Sequence, residues 1–171
     1  MIQSAIILPT GDELKRGNIL DTDSPMIMQT LLQMNGDCRV CRMPVLRDDM
    51  AAITTQIAQC AAQERVDLIV LIGGSGSGHL HSDLMGKDFT HAAMKPLLDA
   101  CESTSLYGKN GHMWSHLVCG MLRNTMVINV PGPYVEAKAA IDAFCGAVSK
   151  NASLRVINQA MASAVAKCYA Q

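Results

Sequence analysis

The chain has 171 residues, 49% of them hydrophobic, and a formal net charge of −1. That length suits one domain, residues 1–171, with a core large enough to need no staples, and the near-zero charge leaves no electrostatic footprint for nucleic acid. The apolar runs fall short of a membrane span and no basic segment precedes a secretory stretch, so a cytoplasmic protein without a membrane partner is expected.

Ser4 to Leu8 is a short apolar run broken by Pro9-Thr10-Gly11-Asp12-Glu13-Leu14, which predicts a strand followed by a polar loop. Ser24 before Pro25 predicts a helix start, with serine as cap and proline at the first helical position. Met28, Leu31 and Leu32 face inward on that helix, and Gly36 closes it. Cys38 to Leu46 reads as a second strand ending in Arg47-Asp48-Asp49. Ile53, Ile57, Cys60 and Ala61 then fall at the spacing of one buried helical stripe. Val66 to Ile72 shows no alternation, as expected of a strand buried on both faces. It runs into a loop with four glycines in six positions, Gly73, Gly74, Gly76 and Gly78.

Beyond that loop, Ala92 to Ala100 reads as a helix interrupted by Pro96, and Leu117-Val118 as a short strand. Thr125 to Val130 is another strand, stopped by Pro131-Gly132-Pro133. Ala137, Ile141, Phe144 and Val148 mark a helix, and Leu154, Ile157, Met161, Val165 and Cys168 mark a last one over about 153–169. Seven cysteines, an odd number scattered along a core-forming chain, predict reduced thiols.

Strands alternating with helices predict an α/β fold with a mostly parallel sheet and right-handed crossovers. In such folds ligands sit outside the carboxyl ends of the strands. Four segments follow strands directly and are expected to meet there: Thr10 to Glu13, Arg47 to Asp49, Gly73 to Asp83, and Pro131 to Tyr134. Glycines in the third of these let backbone N–H groups close on an anion. Two nucleotide signatures are excluded by spacing. His79 stands where a Walker loop needs Lys, and His79 or His81 stands where a dinucleotide fingerprint needs its last glycine.

Carboxylates gather at the same edge: Asp12, Glu13, Asp48, Asp49 and Asp83. Beside a phosphate they suit Mg²⁺, which takes one or two Asp together with phosphate oxygens and water. Capping of the following helix accounts for one of Asp48 and Asp49, and does not need two. His79-Leu80-His81-Ser82-Asp83 offers a different chemistry, the H-x-H-x-D opening of zinc hydrolases, with His112 and His116 as further ligands. That hydrolase signature wants another histidine after the Asp, where Leu84 stands. Cys38 and Cys41 form a C-x-x-C on a predicted strand, which would turn the sulfurs to opposite faces, so a structural role is expected. Ser115 lies in no nucleophile elbow.

Thr10 to Leu14, Gly17 to Asp23, Arg47-Asp48-Asp49, Asp67 to Gly78 and Pro131-Gly132-Pro133 together resemble the molybdopterin-binding domain. That domain occurs in molybdopterin adenylyltransferases, molybdopterin molybdotransferases and the N-terminal part of competence-damage-inducible proteins. The likeness covers about residues 3–148. Met113 to Pro133, with Ser115, Gly120 and Arg123, is similar to the adenylyltransferase branch. The resemblance implies a three-layer α/β sandwich that binds the terminal phosphate and pterin of molybdopterin.

It further implies ligand contacts from Thr10, Gly11, Asp12, Glu13, Gly73, Gly74, Ser75, Gly76, Ser77, Gly78, Ser115, Pro131 and Gly132. In the adenylyltransferase branch Mg²⁺ and ATP join, with Asp49 and Asp83 expected as the catalytic and metal-binding carboxylates. Stand-alone members are homo-oligomers, so a trimer or dimer is expected. Aligned without a gap, the family's Asp position falls on His81; Asp83 takes it only with two inserted residues. The second proline of the family's P-G-x-P is displaced to Pro133, and the extra domains of the molybdotransferases are missing. Since imidazole is a poor ligand for Mg²⁺, the expectation is binding with weak or absent adenylylation.

Overall fold

The structure, a computed structural model, describes residues 2–76 and 89–169. In chain order its elements are β1 (Ser4–Pro9), α1 (Asp12–Lys15), α2 (Asp23–Met34), β2 (Arg39–Arg42), α3 (Met50–Ala61) and β3 (Leu68–Ile72). There follow α4 (Thr90–Met94), β4 (Ala100–Tyr107), β5 (Met113–Leu122), β6 (Thr125–Val130), α5 (Tyr134–Val148) and α6 (Leu154–Cys168).

The strands form one sheet in the order β2-β1-β3-β6-β5-β4. The first four run parallel, and β5 and β4 add an antiparallel flank. The central strand explains the layering. All five residues of β3 are buried, but they alternate between two cores. Leu68, Val70 and Ile72 pack with Ile27 and Leu31 of α2, Phe144 of α5 and Met161 of α6. Ile69 and Leu71 pack with Ile53 and Ile57 of α3 and Met94 of α4. A continuous apolar run is therefore what a strand with helices on both faces requires. The expected three-layer α/β sandwich is present, with a mixed sheet.

Several boundaries differ from expectation, each for a physical reason. β2 stops at Arg42, and Leu46 rejoins the sheet by a single bridge to Thr10, because Pro44 between them cannot donate to a ladder. Helix α2 starts at Asp23, and the early N–H of Ser24 is held by Asp21 Oδ1 at 2.9 Å, so Asp21 does the capping expected of Ser24. The helix expected over 92–100 is short and ends at Met94, and Ala100 opens β4. β4 is an edge strand whose mostly polar, exposed residues carry no hydrophobic signal. The strand at Leu117 extends over ten residues as β5. The last helix matches closely, with Ser153 as its cap.

Cys38 is buried in the core and Cys41 is exposed, and all seven cysteines are free thiols. No helix among the described residues is long and apolar enough to cross a membrane.

Candidate functional site

A cavity of about 910 Å³ lies at the carboxyl ends of the parallel strands. Three neighbouring strand ends contribute to it: Thr10 and Gly11 after β1, Ile72 to Gly76 at the end of β3, and Pro131 to Pro133 after β6. Glu13, residues 19–23 and Asp48 supply further lining, as do His112, Met113, Trp114, Glu136 and Tyr169.

The glycine turn is shaped by its neighbours. Gly73 and Gly74 have φ of 85° and 59°, in the left-handed region that side chains disfavour. A Cβ on Gly74 would stand 2.4 Å from Thr90 Oγ1, and one on Gly73 would stand 3.1 Å from the Thr10 carbonyl oxygen. Thr10 is itself buried, its hydroxyl donating to the Ile72 carbonyl at 2.9 Å. The Gly74 carbonyl accepts from Thr90 N–H at 3.1 Å, and the Ser75 carbonyl accepts from His116 N–H at 2.7 Å. In a trans peptide the N–H points opposite to the C=O. The N–H groups of Ser75 and Gly76 therefore face away from α4 and β5.

Asn129 makes room for this turn. β5 and β6 pair only from Cys119 to Leu122. Beyond that point the Asn129 side chain spans the gap, accepting from Val118 N–H at 2.6 Å and donating to the His116 carbonyl at 2.9 Å. The strands part at the cavity edge, and Ser75 occupies the opening. Ser115, fully buried behind it, donates to Ser75 Oγ at 3.1 Å. On the other side, α5 begins right after Pro131-Gly132-Pro133 with no side-chain cap. The partial positive charge of its N-terminus is thus left to a ligand anion or water.

Carboxylates dominate the charged lining. Glu13, Asp21, Asp23, Asp48 and Glu136 line the cavity, with no Lys or Arg among the described lining residues. Asp21 is paired to Arg42 at 2.8 Å. Burial works against its charge, but hydrogen bonding from Ser24 and the Arg42 guanidinium outweigh that and hold its pKa low. Burial, helped by the Asp21 charge, pushes Asp23 up to about 6. Asp12 and Asp48 exchange bonds: Asp12 N–H donates to Asp48 Oδ2 at 3.0 Å, and Asp48 N–H to Asp12 Oδ1 at 3.4 Å.

The expected residues fall into three groups. Thr10, Gly11, Glu13, Gly73, Gly74, Ser75, Gly76, Pro131 and Gly132 line the cavity together. Asp12, Asp49 and Ser115 are not among its lining residues. Asp49 is the N-cap of α3, its Oδ1 accepting from Ala52 N–H at 2.7 Å, so the helix uses one Asp of the pair and the cavity the other, Asp48. Ser77, Gly78, His79, His81 and Asp83 lie outside the described residues.

Of the other histidines, His112 lines the cavity, while His116 turns to Ser105 Oγ at 2.7 Å and lies 4.9 Å from the His91 ring. Burial, with His91 and Lys95 nearby, lowers His116 to about 4 and keeps it neutral. No group of three metal-ligating side chains occurs among the described residues.

Sequence reading missed Asp21, Asp23, Asn129, Trp114, Glu136 and Tyr169. Asn129 left a signal, an amide inside an apolar strand, and Trp114 is the chain's single tryptophan.

Comparison with known proteins adds a family and a set of folds. A family model described as "probable molybdopterin binding domain" matches residues 6–150. A CinA-like protein of Anaeromyxobacter sp. (strain K) is 39% identical over 70 residues, which is 41% of this chain and 16% of that protein. This chain thus spans a small part of the curated relatives it matches. Among solved structures, MoaB of Thermus thermophilus superposes with a TM-score of 0.66 at 22% identity, covering 92% of this chain and 98% of that one. The Mog protein of Mycobacterium ulcerans gives 0.66 at 20% identity, covering 92% and 99%. CinA of Thermoplasma acidophilum gives 0.60 at 17% identity, covering 88% and 98%. These likenesses establish a shared fold.

Proposed function

Since the chain belongs to the molybdopterin-binding domain family, we propose that it binds molybdopterin at the carboxyl edge of the sheet and serves molybdenum cofactor biosynthesis. Two solved proteins that share its fold, from Thermus thermophilus and Mycobacterium ulcerans, are described as molybdopterin biosynthesis proteins, which supports the assignment. One observation carries the reading. Two left-handed glycines and the uncapped start of α5 converge on one cavity, so backbone N–H dipoles gather where a phosphate would sit. No side chain has to bring positive charge there.

The acidic lining bears on a second reading, adenylyl transfer from ATP to that phosphate. Five carboxylates beside two anionic substrates would repel them unless a cation intervened. Mg²⁺ suits such a donor set of hard oxygens, and Asp48 with Glu13 would hold it, Asp48 taking the place expected of Asp49. When bound, the ion would offset charge on the phosphates. Of the residues outside the described range, Asp83 is retained as the second candidate carboxylate.

Where the gap-free alignment puts His81 at the family's Asp position, binding is the main function and transfer is weak or absent; with Asp83 in that position, transfer is restored. We also place the protein in the reducing cytoplasm, on its odd number of free thiols, and as a symmetric dimer or trimer. Light scattering showing a monomer at micromolar concentration would refute the assembly.

The deciding experiment is calorimetric binding of molybdopterin and its adenylylated form, with and without Mg-ATP, alongside pyrophosphate release. Binding without release supports the carrier reading. Turnover abolished by Asp83→Asn would establish the transferase, and no binding of either pterin would overturn both.

A further inference from the structure

We propose that Trp114, Tyr169 and Glu136 form a recognition wall for the pterin ring. The proposal rests on the reading of this cavity as the molybdopterin site and extends it to the part of the ligand that the glycine turn does not hold. Trp114 lies at the start of β5, Glu136 in the first turn of α5, and Tyr169 directly after α6. All three line the cavity.

Their mutual geometry is that of a fixed platform. The indole and phenol rings stack with centroids 4.0 Å apart and planes 27° from parallel. The indole edge lies against the β4–β5 turn, since a Cβ on Gly108 would come within 2.6 Å of Trp114 Nε1. The Tyr169 hydroxyl donates to Glu136 Oε2 at 2.6 Å, which fixes the phenol at its far end. Rings locked in place bind a planar partner with little further loss of freedom. Tyr169 also lies beyond residues 6–150, the span that the family model matches. The wall therefore depends on this chain's C-terminal helix.

Glu136 selects among planar ligands. A carboxylate offers about four acceptor positions, so it accepts from Tyr169 and still takes further N–H donors. Pterin presents its 2-amino group and N3–H side by side, two donors matched to one carboxylate. Adenine presents a single exocyclic amino group flanked by ring-nitrogen acceptors, which a carboxylate repels. The wall thus favours the pterin over the adenine of ATP. The phosphate at the glycine turn and the ring at the wall would occupy two ends of one cavity.

Trp114, the chain's only tryptophan, reports on the test. The full chain is titrated with molybdopterin, 6-hydroxymethylpterin, adenosine and inorganic phosphate, following Trp114 emission and, independently, heat of binding. Emission is expected to change with both pterins and not with inorganic phosphate. Glu136→Gln should weaken 6-hydroxymethylpterin about tenfold and narrow its preference over adenosine, as loss of a charged acceptor implies. Tyr169→Ala should weaken both pterins about fivefold while Tyr169→Phe, which keeps the stack, loses less.

Circular dichroism checks that α6 stays docked, and Glu136→Gln keeps the test alive if Tyr169→Ala unfolds. Folded Glu136→Gln and Tyr169→Ala proteins that bind both pterins as the parent does would overturn the wall and leave molybdopterin binding standing. Adenosine binding as tightly as 6-hydroxymethylpterin in the parent would overturn the selectivity. A parent that binds no pterin at all would remove the underlying reading and the wall with it.

Discussion

The cavity floor, at the ends of β1, β3 and β6, is built of backbone, whereas the Trp114–Glu136–Tyr169 side is built of side chains from three remote elements. The difference lies in what each part tolerates. A backbone cradle works only where no Cβ intrudes, so its composition is narrow and each of its three segments is a short contiguous stretch. A side-chain wall admits many solutions, and its members need share nothing in the sequence. Substitutions at the left-handed glycines of the floor should therefore damage fold and binding together, and substitutions on the wall should weigh on binding more than on the fold.

Gly74→Val tests the floor with the largest expected effect. It forces a branched side chain into φ 59° and puts Cβ 2.4 Å from Thr90 Oγ1. Stability should fall by about 2–4 kcal/mol, and molybdopterin affinity by about a hundredfold. Gly132→Ala is the contrast. Its Cβ would meet only Gly73 Cα, at an ordinary 3.7 Å, so the fold should stay within about 0.5 kcal/mol of the parent. Denaturant melts and calorimetry of the two variants separate the cases. Equal stability of Gly74→Val and parent would refute the cradle geometry.

The adjacent acids Asp48 and Asp49 sharpen the comparison next. Asp48 lines the cavity, while Asp49 faces the Ala52 N–H of α3. Asp48→Asn should weaken molybdopterin binding in Mg²⁺ about tenfold, each tenfold being about 1.4 kcal/mol. Asp49→Ala should lower stability by about 1 kcal/mol and leave that binding within about twofold. The reverse pattern, with binding lost in Asp49→Ala, would return the ligand role to Asp49.

How far the sequence reveals this molecule follows the same divide. The unbroken run of β3 and the glycines after it announce a strand covered on both faces and a turn that approaches a ligand. Pro131-Gly132-Pro133 announces the third floor segment just as plainly. By contrast, β4 is missed because an edge strand of Glu102, Ser103, Thr104 and Ser105 has no apolar period to show. Choosing between Asp48 and Asp49 needed the direction of one side chain, which a dipeptide does not reveal. Trp114 and Tyr169 meet only because α6 lies across β4 and β5, where Asn158 accepts from the Thr104 hydroxyl and donates to the Leu117 carbonyl. No local pattern encodes that contact.

The smallest effect concerns Asp21 and Asp23, neighbours that line the same cavity and titrate in opposite directions. Asp21 is held low by Ser24 and Arg42 in spite of burial, whereas Asp23 is raised to about 6 by burial and by the charge of Asp21. The unfolded Asp23 carboxyl ionises near the ordinary carboxylate value of 3.8, before the folded one does. Between those two values the unfolded chain releases its proton first, so stability falls as pH rises, and above about pH 6 the whole penalty is present. Asp23→Asn removes the charge that burial opposes. The variant should match the parent near pH 3.5 and exceed it near neutrality by about 1 kcal/mol, since the first turn of α2 favours the negative charge that Asn lacks. Thermal melts of both proteins across that range decide the matter. Curves that stay parallel would mean that Asp23 carries no buried-charge penalty, and a variant less stable at neutral pH would mean that its charge is needed where it stands.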